Sequence, residues 1–364
     1  MKRILLLIKG LGRGGAEQLL VNAAPYLDRD RFDYRVAYLL PWKNALAEEL
    51  GRHGLPVDCL GTGPNWVRRL REVVATKQID LVHAHLPYPA IGARVALVGA
   101  GCAVVYTEHN VWQAYRATTR LANMLTFFRN DHVFTVSDQV RASIRLPRPF
   151  RPSKEGTIET LYHGPDPAGI TGWRPDGVRA ELGVDDNAPL VGTVSNLRPE
   201  KGHRFLVAAT AIVQRTIPDV RLVLVGHGPE LSAIRHQIER LHLHETVVVT
   251  GFRDDAQRLI SAFDVFALPS VHEGLSIALV EALALGKPVV ACRAGGVPEV
   301  VRHGEHGFLV DPGDVQGLAS GITMLLQDAD LRARLGEAGV RRAATFDIRK
   351  AVRRMEEVYE ELLS

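Results

Sequence analysis

Short apolar runs alternate along the chain with longer segments in which apolar residues recur three and four positions apart. A run that is apolar throughout predicts a strand buried on both faces of a parallel sheet, and the longer pattern predicts an amphipathic helix. Strands that alternate with helices predict an α/β fold with parallel, doubly wound sheets. The predicted strands include ILLLI, YRVAYLL, LPVDCL, DLVHA, AVVYTEHN and HVFTVS in the first half, and PLVGTVS, RLVLV, VVVTG, DVFAL and VVAC in the second.

The length of the chain and one irregular segment predict two domains. A chain of 364 residues is long for a single hydrophobic core. The segment TIETLYHGPDPAGITGWRPDG is rich in glycine and proline and has no periodicity, which is typical of a linker between domains. We therefore expect a first domain over residues 1–168 and a second over residues 169–343.

The most informative stretch, residues 264–299, has the pattern strand, loop, helix, strand and loop. Glu273 and Gly274 would lie at the carboxyl end of the first of these strands, where open α/β sheets bind ligands. The backbone N–H groups of Gly274, Leu275 and Ser276 would then begin the helix and favour an anion such as phosphate.

Glu281 lies about two turns into this helix, within the otherwise apolar segment IALVEALAL. A carboxylate in such surroundings needs a partner, and it can accept two hydroxyls from a ribose or a hexose. A ligand with a sugar at each end and phosphate between them would satisfy all of these features. Taken singly, Glu273 as a helix cap and Glu281 as a solvated position remain alternatives.

The spacing Glu273-x7-Glu281 within HEGLSIALVEALALGKPVVA resembles the donor-site signature of the retaining GT-B glycosyltransferases of family 4. The similarity continues through NLRPEKG, LVGHGP, GGVPEVV and HGFLVDPGD, and it covers essentially the whole chain. The resemblance implies two Rossmann-like domains, each with a parallel doubly wound sheet, that face each other across a cleft. It also implies that a last helix, within residues 344–364, crosses back to the first domain.

The activity that the resemblance implies is transfer of a hexose-type sugar, with retention, from a UDP- or GDP-linked donor to a hydroxyl acceptor, with no metal or other cofactor. Glu273 would contact the transferred sugar as a catalytic residue, and Glu281 would bind the donor ribose. Lys201 would neutralise the diphosphate as a mobile point charge. Arg253 would lie along the nucleobase.

The family pattern Gly-Arg-Leu-x-Pro-x-Lys-Gly is altered in this chain. Ser195 and Asn196 replace the first two residues, and Arg198 appears two positions after the missing arginine. Asn196 and Arg198 are both expected on the donor side, and whether Arg198 replaces the missing arginine stays open.

A glycine loop follows the first predicted strand. Its pattern Gly10-x-Gly12-x-x-Gly15 matches the dinucleotide fingerprint. The second strand, however, ends in Pro41-Trp42-Lys43 and lacks the acidic residue that would bind a ribose, so we do not expect nicotinamide binding. The resemblance assigns Gly14 and Gly15 to a close approach of the donor diphosphate. A plain tight turn would require the same glycines.

Polar residues lie at the carboxyl ends of two successive predicted strands, and they include His83, His85, Glu108 and His109. The resemblance makes His109 a catalytic residue beside the donor sugar and places His85 and Glu108 on the acceptor side. A single histidine is more often structural. Metal binding by the three histidines is not expected, because no Cys or Asp cluster accompanies them at ligand spacing.

Charge is uneven between the two halves. Residues 1–170 contain about 22 Lys and Arg against about 15 Asp and Glu, although the whole chain has a formal net charge of +3. Residues 112–154 contain two acidic residues, Asp131 and Asp138, and eight basic ones: Arg116, Arg120, Arg129, Arg141, Arg145, Arg148, Arg151 and Lys154. One hypothesis is contact with an anionic membrane or a phosphate-bearing acceptor, and a solvated surface is the alternative. Nucleic acid is not expected, because no recognition motif is present.

The three cysteines, Cys59, Cys102 and Cys292, are scattered, which predicts reduced thiols in a cytosolic chain. No apolar run approaches the roughly 18 residues of a membrane helix. Lys9 ends the first apolar run too early for a signal peptide. We therefore expect a cytoplasmic protein, at most peripheral at the inner face of the membrane.

The sequence as a whole predicts a hexosyltransferase of cell-envelope or exopolysaccharide synthesis. A sugar-nucleotide epimerase or hydrolase on the same fold is the alternative among enzymes. A sugar-nucleotide-binding module without catalytic activity is the alternative outside enzymes.

Overall fold

A computed structural model describes residues 1–63, 65–151, 157–170 and 172–364. The chain forms two compact units, each built on one parallel sheet with helices. Residues Met1–His163 and Ile348–Ser364 make up the first unit, and Gly164–Asp347 makes up the second. The predicted α/β class with parallel, doubly wound sheets is confirmed in both units.

The first unit contains a seven-stranded sheet in which every pair of neighbouring strands is parallel. Its first strand is apolar and buried from Ile4 to Ile8, as expected for a strand covered on both faces. The strands are β1 (Lys2–Ile8), β2 (Phe32–Tyr38), β3 (Val57–Cys59), β4 (Leu81–His85), β5 (Ala103–Glu108), β6 (His132–Thr135) and β7 (Ile158–Thr160).

The strand order in this sheet is β3-β2-β1-β4-β5-β6-β7. From β1 the chain adds strands in one direction, and from β4 it adds them in the other. The loops after β1 and β4 therefore flank the point where the strand order reverses, which is where such sheets bind ligands. The predicted glycine loop follows β1, His83 and His85 lie on β4, and His109 directly follows the neighbouring strand β5.

Two local predictions for this unit are wrong. The segment assigned to the linker contains β7, which pairs with β6 through Val133 and Ile158. Three residues are too few to produce a recognisable apolar run, so pairing to an existing sheet edge decides their structure. The helix expected from about Ala90 begins at Pro87, because proline is tolerated in the first turn, where N–H groups have no helical acceptor.

The helices of the first unit cover both faces of its sheet, and short 3-10 turns extend several of them. The helices before the crossing to the second unit are α1 (Gly15–Ala23), α2 (Ala47–Arg52), α3 (Trp66–Thr76), α4 (Pro87–Ala96), α5 (Ala117–Thr126) and α6 (Asp138–Ser143). The 3-10 turns are Ala24–Tyr26, Trp112–Ala114, Phe127–Arg129 and Arg148–Phe150.

The second unit contains a six-stranded parallel sheet. Its helices are α7 (Pro167–Ile170), α8 (Val178–Glu181), α9 (His203–Thr216), α10 (Leu231–Arg240), α11 (Ala256–Ala262), α12 (Ile277–Ala284), α13 (Val297–Val300), α14 (Val315–Gln327) and α15 (Ala329–Ala343), with a 3-10 turn at Pro199–Lys201. Its strands are β8 (Leu190–Val194), β9 (Arg221–Val225), β10 (Val247–Gly251), β11 (Val265–Leu268), β12 (Val289–Cys292) and β13 (Gly307–Val310).

The strand order of the second sheet, β10-β9-β8-β11-β12-β13, also reverses at its centre. The loops after β8 and β11 flank this reversal, so they are the expected ligand-binding loops of the unit. Lys201 follows β8, and Glu273 follows β11. The topology therefore explains how two motifs about 70 residues apart reach one site.

The last helix, α16 (Ile348–Leu363), packs in the core of the first unit. Its Glu356 accepts hydrogen bonds from the Tyr34 hydroxyl at 2.7 Å and from the backbone N–H of Asp28 at 2.8 Å. Tyr359 is completely buried, and its hydroxyl bonds Nδ1 of His83 on β4. Polar as well as apolar contacts therefore fix this helix to the unit in which the chain begins.

We predict that Tyr359→Phe lowers the free energy of unfolding by about 1–3 kcal/mol, because it leaves a buried ring nitrogen of His83 without its partner. Urea unfolding followed by circular dichroism measures this change. Lys350→Gln, at an exposed position of the same helix, is the matched control and should leave stability unchanged. Equal stability of Tyr359→Phe and the unsubstituted protein would contradict the assigned contact.

Candidate functional site

The loops after β8 and β11 touch each other closely in the second unit. Gly202 has a φ of +67°, and a Cβ at this position would lie 2.2 Å from the carbonyl oxygen of Pro269. The backbone N–H of Val271 donates to the carbonyl oxygen of Glu200 at 2.9 Å. Only glycine combines this backbone conformation with such a close approach, so Gly202 permits the contact between the two loops.

This contact brings Lys201 and Glu273 together. Nζ of Lys201 lies 2.9 Å from Oε1 and 2.7 Å from Oε2 of Glu273, and the Glu273 residue is only 8% exposed. The loop after β12 packs against the backbone of Glu273, because a Cβ on Gly295 would lie 1.5 Å from the backbone carbonyl oxygen of Glu273. The two residues predicted from separate motifs thus form one ion pair.

The helix that follows begins slightly later than the sequence predicts. Ser276 is its N-cap, its hydroxyl accepts from the N–H of Leu279 at 3.3 Å, and α12 starts at Ile277. Gly274 and Leu275 therefore lie in the preceding loop. Among the described residues, the backbone N–H groups of Gly274, Leu275 and Ser276 find no acceptor, although all three residues are buried. These N–H groups are therefore available to a ligand that supplies acceptors.

Glu281 is 5% exposed on α12, as its apolar context predicts. The side-chain amide of Gln257, on α11, donates to Oε1 of Glu281 at 2.9 Å. Burial raises the pKa of Glu281, and the amide of Gln257 opposes this effect. Sequence analysis missed Gln257, because no motif marks it and it lies 24 positions before its partner.

The other residues of this unit that were predicted to bind the sugar donor differ in exposure and in their partners. Arg198 is exposed, about half of its side chain being accessible, and it lies 3.9 Å from Glu200. Arg253 forms a two-point ion pair with Asp255 at 2.7 and 2.8 Å and also contacts Glu181, which raises its pKa. Its guanidinium is thus bound to carboxylates within the unit. Asn196 accepts the backbone N–H of Arg198 at 2.9 Å through its carbonyl oxygen.

In the first unit, the predicted histidines gather at the carboxyl end of the sheet. The rings of His83 and His85 stack with centroids 4.5 Å apart, and Nδ1 of His85 lies 3.1 Å from Nε2 of His109. Nε2 of His83 bonds Thr107 at 2.7 Å. Nε2 of His85 is buried and lacks a partner among the described residues.

All of these histidines are neutral near pH 7. Burial lowers the pKa of His83 to about 3 and that of the nearby His163 to about 4. Burial also lowers the pKa of His85 and of His109 well below the usual range. They can therefore exchange hydrogen bonds with a ligand but do not supply positive charge to it.

Glu108 is completely buried, and its carboxylate is fully occupied. Oε2 accepts from the Tyr106 hydroxyl at 2.7 Å and from Nε1 of Trp112 at 2.9 Å. Oε1 accepts from the Tyr115 hydroxyl and from the backbone N–H groups of His109 and Asn110. These bonds fix the loop that carries His109, so the geometry gives Glu108 a positioning role. Its predicted contact with an acceptor stays a prediction.

The glycine loop leads directly into α1. Gly14 is the N-cap of this helix, in extended conformation and without a side-chain cap. A Cβ on Gly15 would have no neighbour within 4 Å, so packing within the described part of the chain does not require glycine there. The space beside Gly15 is compatible with the close approach of a ligand that the sequence predicts.

Both units are of the Rossmann type. In the second unit, Lys201, the buried Glu273 and Glu281, and N–H groups without an acceptor among the described residues lie near the sheet reversal. This combination suits a ligand that carries phosphate and hydroxyl groups. The model of "Glycosyltransferase Family 4" matches residues 13–168, and that of "Glycosyl transferases group 1" matches residues 176–342. The chain belongs to the family-4 glycosyltransferases, and its fold is GT-B.

Individual relatives agree with this assignment. The chain is 30% identical, over 93% of both chains, to the GDP-mannose-dependent alpha-(1-6)-phosphatidylinositol monomannoside mannosyltransferase of Mycobacterium tuberculosis. It is 29% identical to the N-acetyl-alpha-D-glucosaminyl L-malate synthase of Bacillus anthracis, over 81% of this chain and 78% of that one. The solved structure of Anabaena HepE in complex with UDP-glucose has a TM-score of 0.88 at 28% identity, over 99% of this chain and 100% of that chain.

We predict that a double-mutant cycle with Lys201→Met and Glu273→Gln gives a coupling of about 1–3 kcal/mol in the free energy of unfolding. Each single change leaves one buried partner of the pair unpaired, whereas the double change removes both charges. Chemical unfolding of the four proteins without ligand measures the coupling. Strictly additive single effects would show that the two side chains do not interact.

Proposed function

We propose that this glycosyltransferase moves a hexose-type sugar from a nucleoside-diphosphate donor to a hydroxyl acceptor with retention of configuration. The observation that carries the proposal is the Lys201–Glu273 ion pair beside the unpaired N–H groups of residues 274–276. Lys201 and the N–H groups suit phosphate oxygens, and the carboxylate of Glu273 suits sugar hydroxyls.

Donor binding would exchange the partners of this pair. Diphosphate oxygens offer Lys201 and the loop N–H groups the acceptors that they need. Glu273, released from the lysine, then needs donors, and hydroxyls of the transferred sugar supply them. Glu281 would accept the ribose hydroxyls in the same way, since among the described residues only Gln257 donates to its carboxylate, at Oε1.

The same groups would assist the reaction. Negative charge grows on the departing diphosphate in the transition state, and a cation with oriented N–H groups stabilises it. Retention would follow from attack on the face that the diphosphate leaves, with a donor phosphate oxygen taking the acceptor proton. This scheme uses no metal. His109, neutral at pH 7, can accept or donate a hydrogen bond, and a Cβ on Gly15 would have no neighbour within 4 Å; their expected contacts with the sugar and the diphosphate stay predictions.

The relatives support a UDP- or GDP-linked hexose. HepE of Anabaena was solved with UDP and glucose and with UDP-glucose, and the mycobacterial relative is named as GDP-mannose-dependent. Another relative, from Rhizobium meliloti, is named as a glycosyltransferase of lipopolysaccharide core biosynthesis. We accordingly propose a role in cell-envelope or exopolysaccharide glycan synthesis.

We predict that a panel of UDP- and GDP-hexoses contains at least one compound that raises the melting temperature of the protein, because ligands that bind only the native state stabilise it. With that donor and a hydroxyl acceptor, the product should keep the anomeric configuration of the donor, as measured by NMR, and EDTA should not reduce the rate. Glu273→Gln should lower the rate by at least about a hundredfold.

Glu245→Gln, at an exposed position of the same unit, is the control and should leave the rate unchanged. Donor turnover in the absence of any acceptor would favour an epimerase or hydrolase instead. Donor binding together with full activity of Glu273→Gln would contradict the role of this residue. Binding without any transfer activity would favour a sugar-nucleotide-binding module.

We also propose that the enzyme docks on anionic membranes through the α5 surface, defined as Leu121, Leu125 and Phe128 with Arg116, Arg120 and Arg129. The three apolar side chains are 52%, 45% and 40% exposed, and all three arginines are exposed. Exposed apolar side chains beside arginines match the interface of an anionic bilayer. Lys154, also part of the predicted basic segment, lies outside the described residues. Within the described ranges, no helix is long and apolar enough to span a bilayer.

We predict that the protein sediments with vesicles containing anionic lipid at low salt and that high salt releases it, because screening weakens the arginine contacts. Leu121→Ser/Leu125→Ser/Phe128→Ser and Arg116→Gln/Arg120→Gln/Arg129→Gln should each reduce binding about tenfold or more. The controls are Met324→Ser/Val340→Ser and Arg71→Gln/Arg235→Gln/Arg334→Gln, at exposed positions elsewhere. Equal binding by test and control proteins would identify a solvated surface.

A further inference from the structure

Glu281 differs from the other buried carboxylate of the second unit's site in how it is bonded. Lys201 occupies both oxygens of Glu273. Among the described residues, the amide of Gln257 is the one hydrogen-bond donor to Glu281, and it bonds only Oε1. Glu281 is 5% exposed in an apolar helix. A carboxylate that is buried in this way with a single neutral partner recovers little of the free energy lost on leaving water.

We propose that Gln257 is a positioning residue for the nucleotide-binding carboxylate: it fixes the Glu281 side chain and keeps it ionised while leaving Oε2 available to ligand hydroxyls. The proposal rests on the proposed function in assigning that ligand. A neutral amide suits this task better than a cation. A lysine or arginine would compete for both oxygens, as Lys201 does at Glu273.

The position of Gln257 follows from the packing of α11 against α12. Gln257 is half-buried on α11, and its amide reaches Oε1 across the interface of the two helices at 2.9 Å. Its neighbour Arg258 is directed to other acids, since it bonds Glu181 at 2.9 Å and Asp255 at 3.1 Å. The one cation on α11 is therefore engaged elsewhere, and the neutral amide faces the carboxylate.

The other elements packed against α12 do not supply a charge to Glu281. These elements are α15, β11 and β12. Strand β11 has no ionisable side chain, and β12 has only Cys292. Helix α15 approaches α12 through Gly339, which lies against Leu283, and its Gly336 lies against Gly286 just after α12. Burial and the Gln257 amide are the two influences on the pKa of Glu281 within the described part of the chain. The charged residues of α15 are Asp330, Arg332, Arg334, Glu337, Arg341 and Arg342.

The contact between Gln257 and Glu281 should affect how the stability of the ligand-free protein depends on pH. Burial raises the pKa of Glu281, and removal of the opposing amide raises it further. A carboxyl whose pKa is raised by folding holds its proton more tightly in the native state. The native state therefore loses stability as the pH rises from the unfolded pKa, about 4.3, through the folded one. Loss of Gln257 should thus destabilise the protein more at high pH than at low pH.

The first test compares Gln257→Met with the unsubstituted protein at pH 5 and pH 8 without ligand. We expect the loss in melting temperature at pH 8 to exceed that at pH 5 by about 2–4 °C. In a Glu281→Gln background this pH dependence should vanish. Gln214→Met is the matched control, because the amide of Gln214 donates to the Thr246 hydroxyl in the same unit. An equal loss at both pH values would overturn the proposal, since it would indicate only a packing defect.

The second test measures binding of UDP and GDP by calorimetry between pH 6 and pH 8. We expect Gln257→Met to bind about tenfold more weakly than the unsubstituted protein at pH 6, and to approach it at pH 8, because a neutral carboxyl accepts weaker hydrogen bonds than an ionised one. Gln214→Met should follow the unsubstituted protein throughout. Equal affinities of Gln257→Met and the unsubstituted protein at every pH would overturn the assignment of Gln257.

The two tests separate the two claims. If the unsubstituted protein bound neither UDP nor GDP while the pH-dependent loss of stability were present, the proposed donor would be wrong and the link between Gln257 and the ionisation of Glu281 would stand. If nucleotide bound with unaltered affinity to Glu281→Gln, the carboxylate would not contact the ligand, and the nucleotide-binding part of the proposal would be overturned.

Discussion

A carboxylate that leaves water must find hydrogen-bond donors, and this requirement governs much of the structure. In the described part of the chain, four glutamates are nearly or completely buried, and each meets the requirement differently. Glu108 accepts from several neutral donors within its unit, and Glu356 accepts from a hydroxyl and a backbone N–H. Glu273 is paired with a lysine, and Glu281 has one amide. Fully bonded carboxylates hold the fold, whereas those with an exchangeable or incomplete set of donors can accept a ligand.

The histidines of the first unit show the same gradation. His83 uses both ring nitrogens, on Tyr359 and Thr107, and so connects the last helix to the sheet. His85 bonds His109 through Nδ1, while its Nε2 is buried without a partner among the described residues. Hydrogen bonding thus distinguishes His83, whose ring nitrogens are both bonded, from His85, which has one ring nitrogen available to a ligand. Both histidines lie on β4.

The sequence predicted nearly all strands and marked Glu273 and Glu281 as candidate ligand contacts, because apolar runs, glycine loops and a carboxylate within an apolar helix are local signals. It missed what depends on pairing at a distance. Strand β7 exists because the edge of β6 was available. Gln257 lies near Glu281 only because α11 packs against α12. Ser276 caps α12, so Gly274 and Leu275 lie in the preceding loop and not in the first turn of the helix as predicted.

The Lys201–Glu273 pair sets a condition on any ligand of the second unit. A ligand with phosphate alone can engage Lys201 but leaves the buried Glu273 without a donor, which costs free energy. A free sugar offers hydroxyls to Glu273, but these neutral groups do not compensate for loss of the ion pair with Lys201, and Lys201 is left without an anion. A ligand that carries both groups at the right separation compensates both partners at once. If the donor binds here as proposed, the pair would favour a complete phosphate-linked sugar over either of its parts, because separating two charges that already satisfy each other costs free energy.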